Sequence, residues 1–283
     1  MLDFKFILKV SRPRFWFYTF GPYLIGLMAG IESAGELVRI DVIAFAFYFL
    51  LSANHLIYGV NDVFDYETDR LNPKKRRYEA LVTPEMRRPL LISMVPATVP
   101  FVLAAALISV EVLVALLAFL FFSIFYSAPP IRAKTKPFLD SAFNILYVMP
   151  AVFAYALITK DFPPLQPIMA GGCWTAAMHA YSAIPDIDVD QQAGIKTIAT
   201  VFGTYGTLVL CFLLYAAATI LSFEYLGLAS LTIGSAYLLL MIASIQSARS
   251  GRLFKLYRAF PIINVAAGFV LFWTISATKL FTP

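Results

Sequence analysis

The segment NDVFDYETDRLNPKKR, residues 61–76, follows directly on a long apolar run. Asp62, Asp65, Glu67 and Asp69 are succeeded at once by Arg70, Lys74, Lys75 and Arg76. A second acidic group, Asp186, Asp188 and Asp190, closes another apolar run in the segment PDIDVD. On a helix, residues four apart share a face. Asn61, Asp65 and Asp69 then form one stripe with Asp62 close to it, and Asn54 and Tyr58 extend that stripe toward the apolar run. Glu67 points elsewhere. In the second group Asp186 and Asp190 share a face, and Asp188 projects away from it. Carboxylates held together repel one another and rise in pKa unless they are neutralised. A divalent cation is the natural neutraliser. Mg²⁺ takes one or two carboxylates and completes its shell with waters and substrate phosphates. Two acidic walls on two helices therefore suit a metal-bridged diphosphate.

Cations flank both groups. Lys74, Lys75 and Arg76 follow the first, Lys196 follows the second, Arg132 and Lys134 sit in YSAPPIRAK at 126–134, and Arg12 and Arg14 lie near the N-terminus. Such groups hold the nonbridging oxygens of a diphosphate and stabilise it as it departs. The chemistry suggested is ionisation of an allylic diphosphate. The resulting carbocation needs a dry wall with π faces nearby. The chain has 26 Phe and 15 Tyr, most of which serve packing. His55 and His179 each precede an acid by seven residues, about 10 Å along a helix. This places them on the cavity side, together with Asn54, Tyr58 and Ser182. Either histidine is a candidate to take a proton from a product cation, or to pack and bond across helices. Pro185 is expected to bend the second helix.

The elements that carry these residues are hydrophobic. The 283-residue chain is 60% hydrophobic and 14% charged, with mean hydropathy +0.77, whereas soluble domains hold about 25% charged residues. Four acids facing lipid would be intolerable at about 2.5–3.5 kcal/mol each, so they must line a cavity near the interface. A bilayer core needs about 20 apolar residues per helix. Apolar runs fall near 15–31, 42–60, 89–109, 112–128, 138–158, 165–184, 205–223, 226–246 and 259–278. The expected fold is all-α: a single domain over 1–283, with nine transmembrane helices bundled around a central cavity. No run alternates at period two, as a barrel strand would. The first apolar run has no small-residue cleavage site and reads as a span, not a cleavable signal. With nine spans starting inside, all but Arg39, Lys160 and Lys279 of the 22 Lys and Arg fall in cytoplasmic segments, as the positive-inside rule requires. The expected placement is thus the cell membrane, with the N-terminus and both acidic groups at the cytoplasmic face.

The net charge of +5 follows from membrane orientation and contact with membrane lipids, and no nucleic acid partner is implied. Cys173 and Cys211 lie within apolar runs without metal spacing and read as packing thiols. An ion-coupled transporter would carry its acids near the midplane, on broken helices in an inverted repeat; here they gather at one face beside cations. A CDP-alcohol phosphotransferase would need Gly after its first Asp, and Asp62 is followed by Val63.

NDVFDYETD resembles the NDxxDxxxD motif of the UbiA-superfamily intramembrane prenyltransferases. PDIDVDQQAGIKTIAT at 185–200 resembles their second motif, DxxxD followed by a Gly-Ile-x-Thr helix start, and YSAPPIRAK resembles the loop between them. The resemblance implies nine helices around a cavity open to lipid, with Mg²⁺ held between the motifs through diphosphate. It implies metal ligation by Asn61, Asp65, Asp69, Asp186 and Asp190, and diphosphate contacts from Asn72, Lys74, Tyr126, Lys134 and either Arg12 or Arg14. Members often show an Arg-Pro pair soon after NP, whereas NPKKRRYEALV runs on here, and this leaves the cationic contacts open. Within the family, SRPRFWFYTFGPYLIG at 11–26 and MHAYSAIPDIDVD at 178–190 are most similar to the lycopene elongases, implying transfer of a five-carbon unit from dimethylallyl diphosphate to a carotenoid. The alternative within the family is transfer of a longer prenyl chain to a quinone precursor or a glycerol-phosphate lipid.

Overall fold

The structure, a computed structural model, describes residues 3–66, 70, 80–192, 194–248 and 253–280. Among them every regular element is helical. In chain order the principal helices are α1 (Phe4–Val10), α2 (Phe17–Gly30), α3 (Ile40–Phe64), α4 (Pro84–Ile108), α5 (Val110–Ser127), α6 (Leu139–Ala142), α7 (Met149–Thr159), α8 (Leu165–Ala183), α9 (Ile187–Gln192), α10 (Ile198–Leu226), α11 (Leu228–Ser247) and α12 (Leu253–Leu280). Seven stretches among the described residues are long and apolar enough to cross a membrane: Ile40–Phe64, Pro84–Ile108, Val110–Ser127, Leu139–Thr159, Ile198–Leu226, Leu228–Ser247 and Lys255–Lys279. They account for seven of the nine expected runs, and the protein is an integral membrane protein. The runs at 15–31 and 165–184 are helical as well. However, α2 has only 14 residues, about 21 Å at 1.5 Å per residue, and α8 carries Gln166, His179 and Ser182 among its 19.

The chain forms two compact units, residues 1–132 with 149–162, and 133–148 with 163–283. In the first, α2 packs closely on α7 because Gly26 has no side chain: a Cβ there would collide with the Ala151 backbone. Small residues serve this purpose between membrane helices generally. Phe45 and Phe49 of α3, Phe119 of α5 and Phe153 of α7 form an aromatic core, with centroids 4.5 Å apart for Phe45–Phe153 and 5.3 Å for Phe49–Phe119. In the second unit, α8 packs along α10 and α10 along α11. Tyrosines bond across those helices: the Tyr181 and Ser244 hydroxyls lie 3.0 Å apart, and the Tyr237 hydroxyl donates to Asn264 Oδ1 at 2.8 Å.

The middle of α3 widens into a π turn over Tyr48–Ser52. Such a turn disturbs the normal backbone ladder. The Phe49 carbonyl accepts from the Thr19 hydroxyl at 2.7 Å and from Asn54 Nδ2 at 3.1 Å, and Asn54 Nδ2 also reaches Leu50 O at 3.0 Å and Thr19 Oγ1 at 2.6 Å. Asn54 is fully buried. Instead of facing a cavity as expected, it ties α3 to α2 at the π turn. Asn54→Leu is expected to lower stability by about 1–2 kcal/mol, the scale of interhelical polar contacts in membranes, as read by thermal unfolding in detergent.

Candidate active site

In the first unit, the last turns of α3 bring part of the first acidic motif together with the N-terminal segment and the loop after α5. Asp62 is 1% exposed, and its Oδ1 lies 2.6 Å from Arg12 Nη2. The Arg12 guanidinium also covers the Tyr58 ring, 4.7 Å from its centroid. Arg12 holds a left-handed φ of 51°, in keeping with the bar that Pro13 sets against right-handed helix before it. Arg14 is exposed and lies over the Phe15 ring at 4.6 Å. Among the described residues of the motif, Arg12 is thus the arginine placed against Asp62. Tyr58 is buried beneath Arg12 and is part of this cluster.

Asn61 Nδ2 donates to Ser127 Oγ at 3.1 Å, so the end of α5 lies beside the motif, with Tyr126 one residue earlier. The expected helical continuation is interrupted at Asp65. α3 ends at Phe64, and Asp65 has left helical geometry at φ −111°, ψ 9°. Arg132 accounts for the break: its Nη2 donates to the Phe64 carbonyl at 3.4 Å and lies 3.7 Å from Asp65 Oδ1, placing a cation at a helix C-terminus where carbonyls lack partners. Asp69, Asn72 and Lys74 lie outside the described residues. His55 is 3% exposed, and its Nε2 lies 2.9 Å from Ser93 Oγ. It packs between α3 and α4 and does not line a cavity.

In the second unit, α8 ends at Ala183, and Pro185 lies in a 3₁₀ turn, Ile184–Asp186, that leads into α9. The bend expected at Pro185 is present. Burial first, and then the charge of Asp186, raise the Asp190 carboxyl above its ordinary pKa. Asp186 and Asp190 are thus electrostatic neighbours, as their spacing implied, and Asp188 is exposed. The Ile195 N–H donates to the Asp190 carbonyl at 2.9 Å, and Gly194 takes the left-handed φ of 68° that the tight turn needs. Thr197 caps α10 in a reciprocal box with Thr200, at 3.2 Å and 2.9 Å, which is the helix start read in GIKT. Lys196 is exposed and Lys134 half-buried. Ser182 Oγ bonds to the His179 carbonyl of its own helix at 2.8 Å. His179 Nε2 lies 3.9 Å from Asp140 Oδ2. Cys211 is buried, with Sγ 3.4 Å from Ala177 O, and Cys173 is half-buried; both are free.

The UbiA prenyltransferase family model matches residues 19–273. The chain belongs to that family. Among relatives of UbiA type, it is 38% identical to the lycopene elongase/hydratase of Halobacterium salinarum over 270 residues, 94% of this chain and 95% of that one. It is 36% identical to the protein of the same name from Haloferax volcanii, over 94% of this chain and 87% of that one, and 33% identical to that of Corynebacterium glutamicum, over 78% and 77%. The fold is shared with solved UbiA homologs. One from Archaeoglobus fulgidus, bound to GPP and Mg²⁺, superposes with a TM-score of 0.68 at 23% identity over 95% of this chain and 99% of that one. The apo form from Aeropyrum pernix gives 0.72 at 18% identity over 95% and 99%. This chain is therefore a prenyl-transferring enzyme of the membrane.

Within the second unit, the neighbouring carboxylates of Asp186 and Asp190 fit a divalent cation of the Mg²⁺ kind. Among the described residues no three His, Cys, Asp or Glu converge into a ready cage. The Asp190 carboxyl is raised by burial first and then by Asp186. A sparse pair of this kind is what Mg²⁺ is content with when phosphates complete its shell. The first unit, by itself, offers an amide and a carboxylate at the end of α3. Two features had no signal in the spacing: in the first unit the Arg12–Asp62 pair, whose members are fifty residues apart, and in the second the buried Asp140.

Proposed function

We propose that the protein transfers a dimethylallyl group from dimethylallyl diphosphate to the end of lycopene or a related carotenoid. The observation that carries this reading is the likeness to lycopene elongase/hydratases across 94% of the chain. The proposed frame is a single functional domain over 1–283 with nine spans, the N-terminus in the cytoplasm and the chemistry at the cytoplasmic face. Asn61, Asp65, Asp69, Asp186 and Asp190 serve the metal side. Either Arg12 or Arg14, together with Asn72, Lys74, Tyr126, Arg132, Lys134 and Lys196, serves the diphosphate.

Mg²⁺, when bound, supplies the charge neutralisation that makes diphosphate a good leaving group. The cations stabilise the departing oxygens, an effect of the size that preorganised donors give elsewhere. The allylic carbocation is then attacked by a terminal double bond of the acceptor, and proton loss or capture of water ends the reaction. An apolar cleft of about 370 Å³, lined by Leu56, Val60 and Phe64 and bordered by α4 and α5, ends one residue short of Asp65. Its largely aliphatic walls suit a hydrocarbon.

The test supplies purified protein, Mg²⁺ and labelled dimethylallyl diphosphate with lycopene. A parallel reaction supplies geranylgeranyl diphosphate with polar acceptors. Labelled carotenoid is expected from the first. Product from the second alone would overturn the elongase reading and favour the longer-chain transfer.

A further inference from the structure

Asp140 belongs to neither acidic motif, yet it is fully buried and bound at both carboxylate oxygens. Oδ1 accepts from the Ser141 N–H at 2.9 Å, and Oδ2 accepts from the Ile198 N–H at 2.7 Å. Ile198 is the first residue of α10, and its amide is one of the donors a helix start leaves without an internal partner. Thr197 and Thr200 already cap that start. Asp140 adds a second anchor from 58 positions away, and its negative charge lies at the positive end of the helix dipole.

The other contacts of Asp140 lead toward the residues assigned to the diphosphate. Its own N–H donates to the Lys136 carbonyl at 2.9 Å, closing the turn that follows Lys134. His179, on the helix that runs into Asp186, presents Nε2 at 3.9 Å from Oδ2. One residue therefore meets three segments of the second unit: its N–H the turn after Lys134, and its carboxylate the helix leading into Asp186 and the helix start following Asp190. Between Asp190 and Ile198 the chain has little slack, because Ile195 is bonded back to Asp190. A buried carboxylate is expensive unless donors hold it; the threonine cap serves the Thr200 amide, and Asp140 serves the buried Ile198 amide that the cap does not reach.

We propose that Asp140 is a positioning residue for the second acidic motif. Its carboxylate pins the start of α10 and, through the turn at Gly194 and Ile195, holds Asp186 and Asp190 in place for a divalent cation and the donor diphosphate. The proposal rests on the assignment of Asp186 and Asp190 to metal binding.

The test compares Asp140→Ala, Asp140→Asn, Thr197→Ala and Asp190→Asn with the parent chain in detergent. Three properties are measured: hydrogen exchange over residues 184–198 in metal-free protein, Mn²⁺ affinity by electron paramagnetic resonance in the presence of dimethylallyl thiolodiphosphate, and the thermal midpoint. Asp140→Ala is expected to speed exchange over 184–198 and to weaken Mn²⁺ by about tenfold or more, the scale at which residues supporting metal ligands act. Asp140→Asn keeps an acceptor for Ile198 and falls between. Thr197→Ala lowers the midpoint but leaves Mn²⁺ affinity unchanged. Unchanged Mn²⁺ affinity in folded Asp140→Ala, with a loss in Asp190→Asn, overturns the positioning role alone. Unchanged affinity in Asp190→Asn overturns the metal assignment and this proposal with it. If Asp140→Ala does not fold, Asp140→Asn decides by the same criteria.

Discussion

Asp65→Ala and Asp190→Asn are each expected to lower prenyl transfer about 10²–10³-fold, the loss that follows removal of one preorganised electrostatic group from a reacting centre. The two residues come from different motifs and different units. Asp65 sits where α3 breaks, 3.7 Å from Arg132. Asp190 stands in the field of Asp186, which helps to keep its carboxyl harder to ionise. Removing either carboxylate should also move the Mg²⁺ dependence of turnover to higher concentration, since fewer fixed oxygens remain to draw the ion from water. Asp188→Asn is the control: that side chain is exposed on the same short helix and its loss should leave turnover unchanged. The measurement is initial-rate transfer of labelled dimethylallyl across a Mg²⁺ titration. Full turnover in either Asp65→Ala or Asp190→Asn would remove that motif from the mechanism, and equal losses in all three variants would point to a general effect of acidic charge.

The second large effect concerns the Arg12–Asp62 pair. Its side chains are 13% and 0% exposed. Breaking a buried pair by removing one partner strands the other charge and costs about 3–5 kcal/mol. Asp62→Leu and Arg12→Met are each expected to lose stability on that scale, while the double variant Arg12→Met with Asp62→Leu should recover most of it, because an apolar pair of similar volume replaces a buried ion pair at little cost. Thermal unfolding of the three variants gives the coupling directly; additive losses would show that the contact contributes nothing as a pair. Activity separates the two residues' further roles. If Arg12 also serves the diphosphate, the stable double variant stays slow. Recovery of both stability and rate would reduce Arg12 to a packing partner of Asp62 and Tyr58.

Much of this was legible in the residues themselves. Apolar runs of about 20 residues locate membrane helices because lipid imposes a length, and seven of the nine appear as helices that meet that length. The helix start that the Gly-Ile-x-Thr resemblance implied is present, with Thr197 as the cap of α10. The site was legible only where its geometry is local. Asp186 and Asp190 are one helical turn apart, and their proximity follows from that. Period arguments failed at Asp65, since extrapolating a helix assumes that its backbone bonds continue, and Arg132, 67 positions away, takes the terminal carbonyl instead. The place of Asn54 and the choice between the two readings of His55 lay beyond the sequence for a related reason. A polar residue on an apolar helix signals a partner but does not say which, and here the partners are a carbonyl at a π turn and a serine on α4. Asp140 gave no signal at all, because its role depends on an amide 58 residues further on.

Trp16 donates its indole N–H to the Ser11 carbonyl at 3.0 Å, four residues after Arg12 in the same segment. Of the chain's 3 tryptophans, Trp174 rests against Tyr237 in the second unit and Trp273 is half-exposed on α12. The segment that carries Arg12 to Asp62 thus has its own chromophore. With Trp174→Phe and Trp273→Phe, the remaining tryptophan emission, excited selectively over the 15 tyrosines, comes from Trp16 alone, and any rearrangement of Arg12 at the first motif becomes an optical event, visible without label, substrate turnover or a second protein.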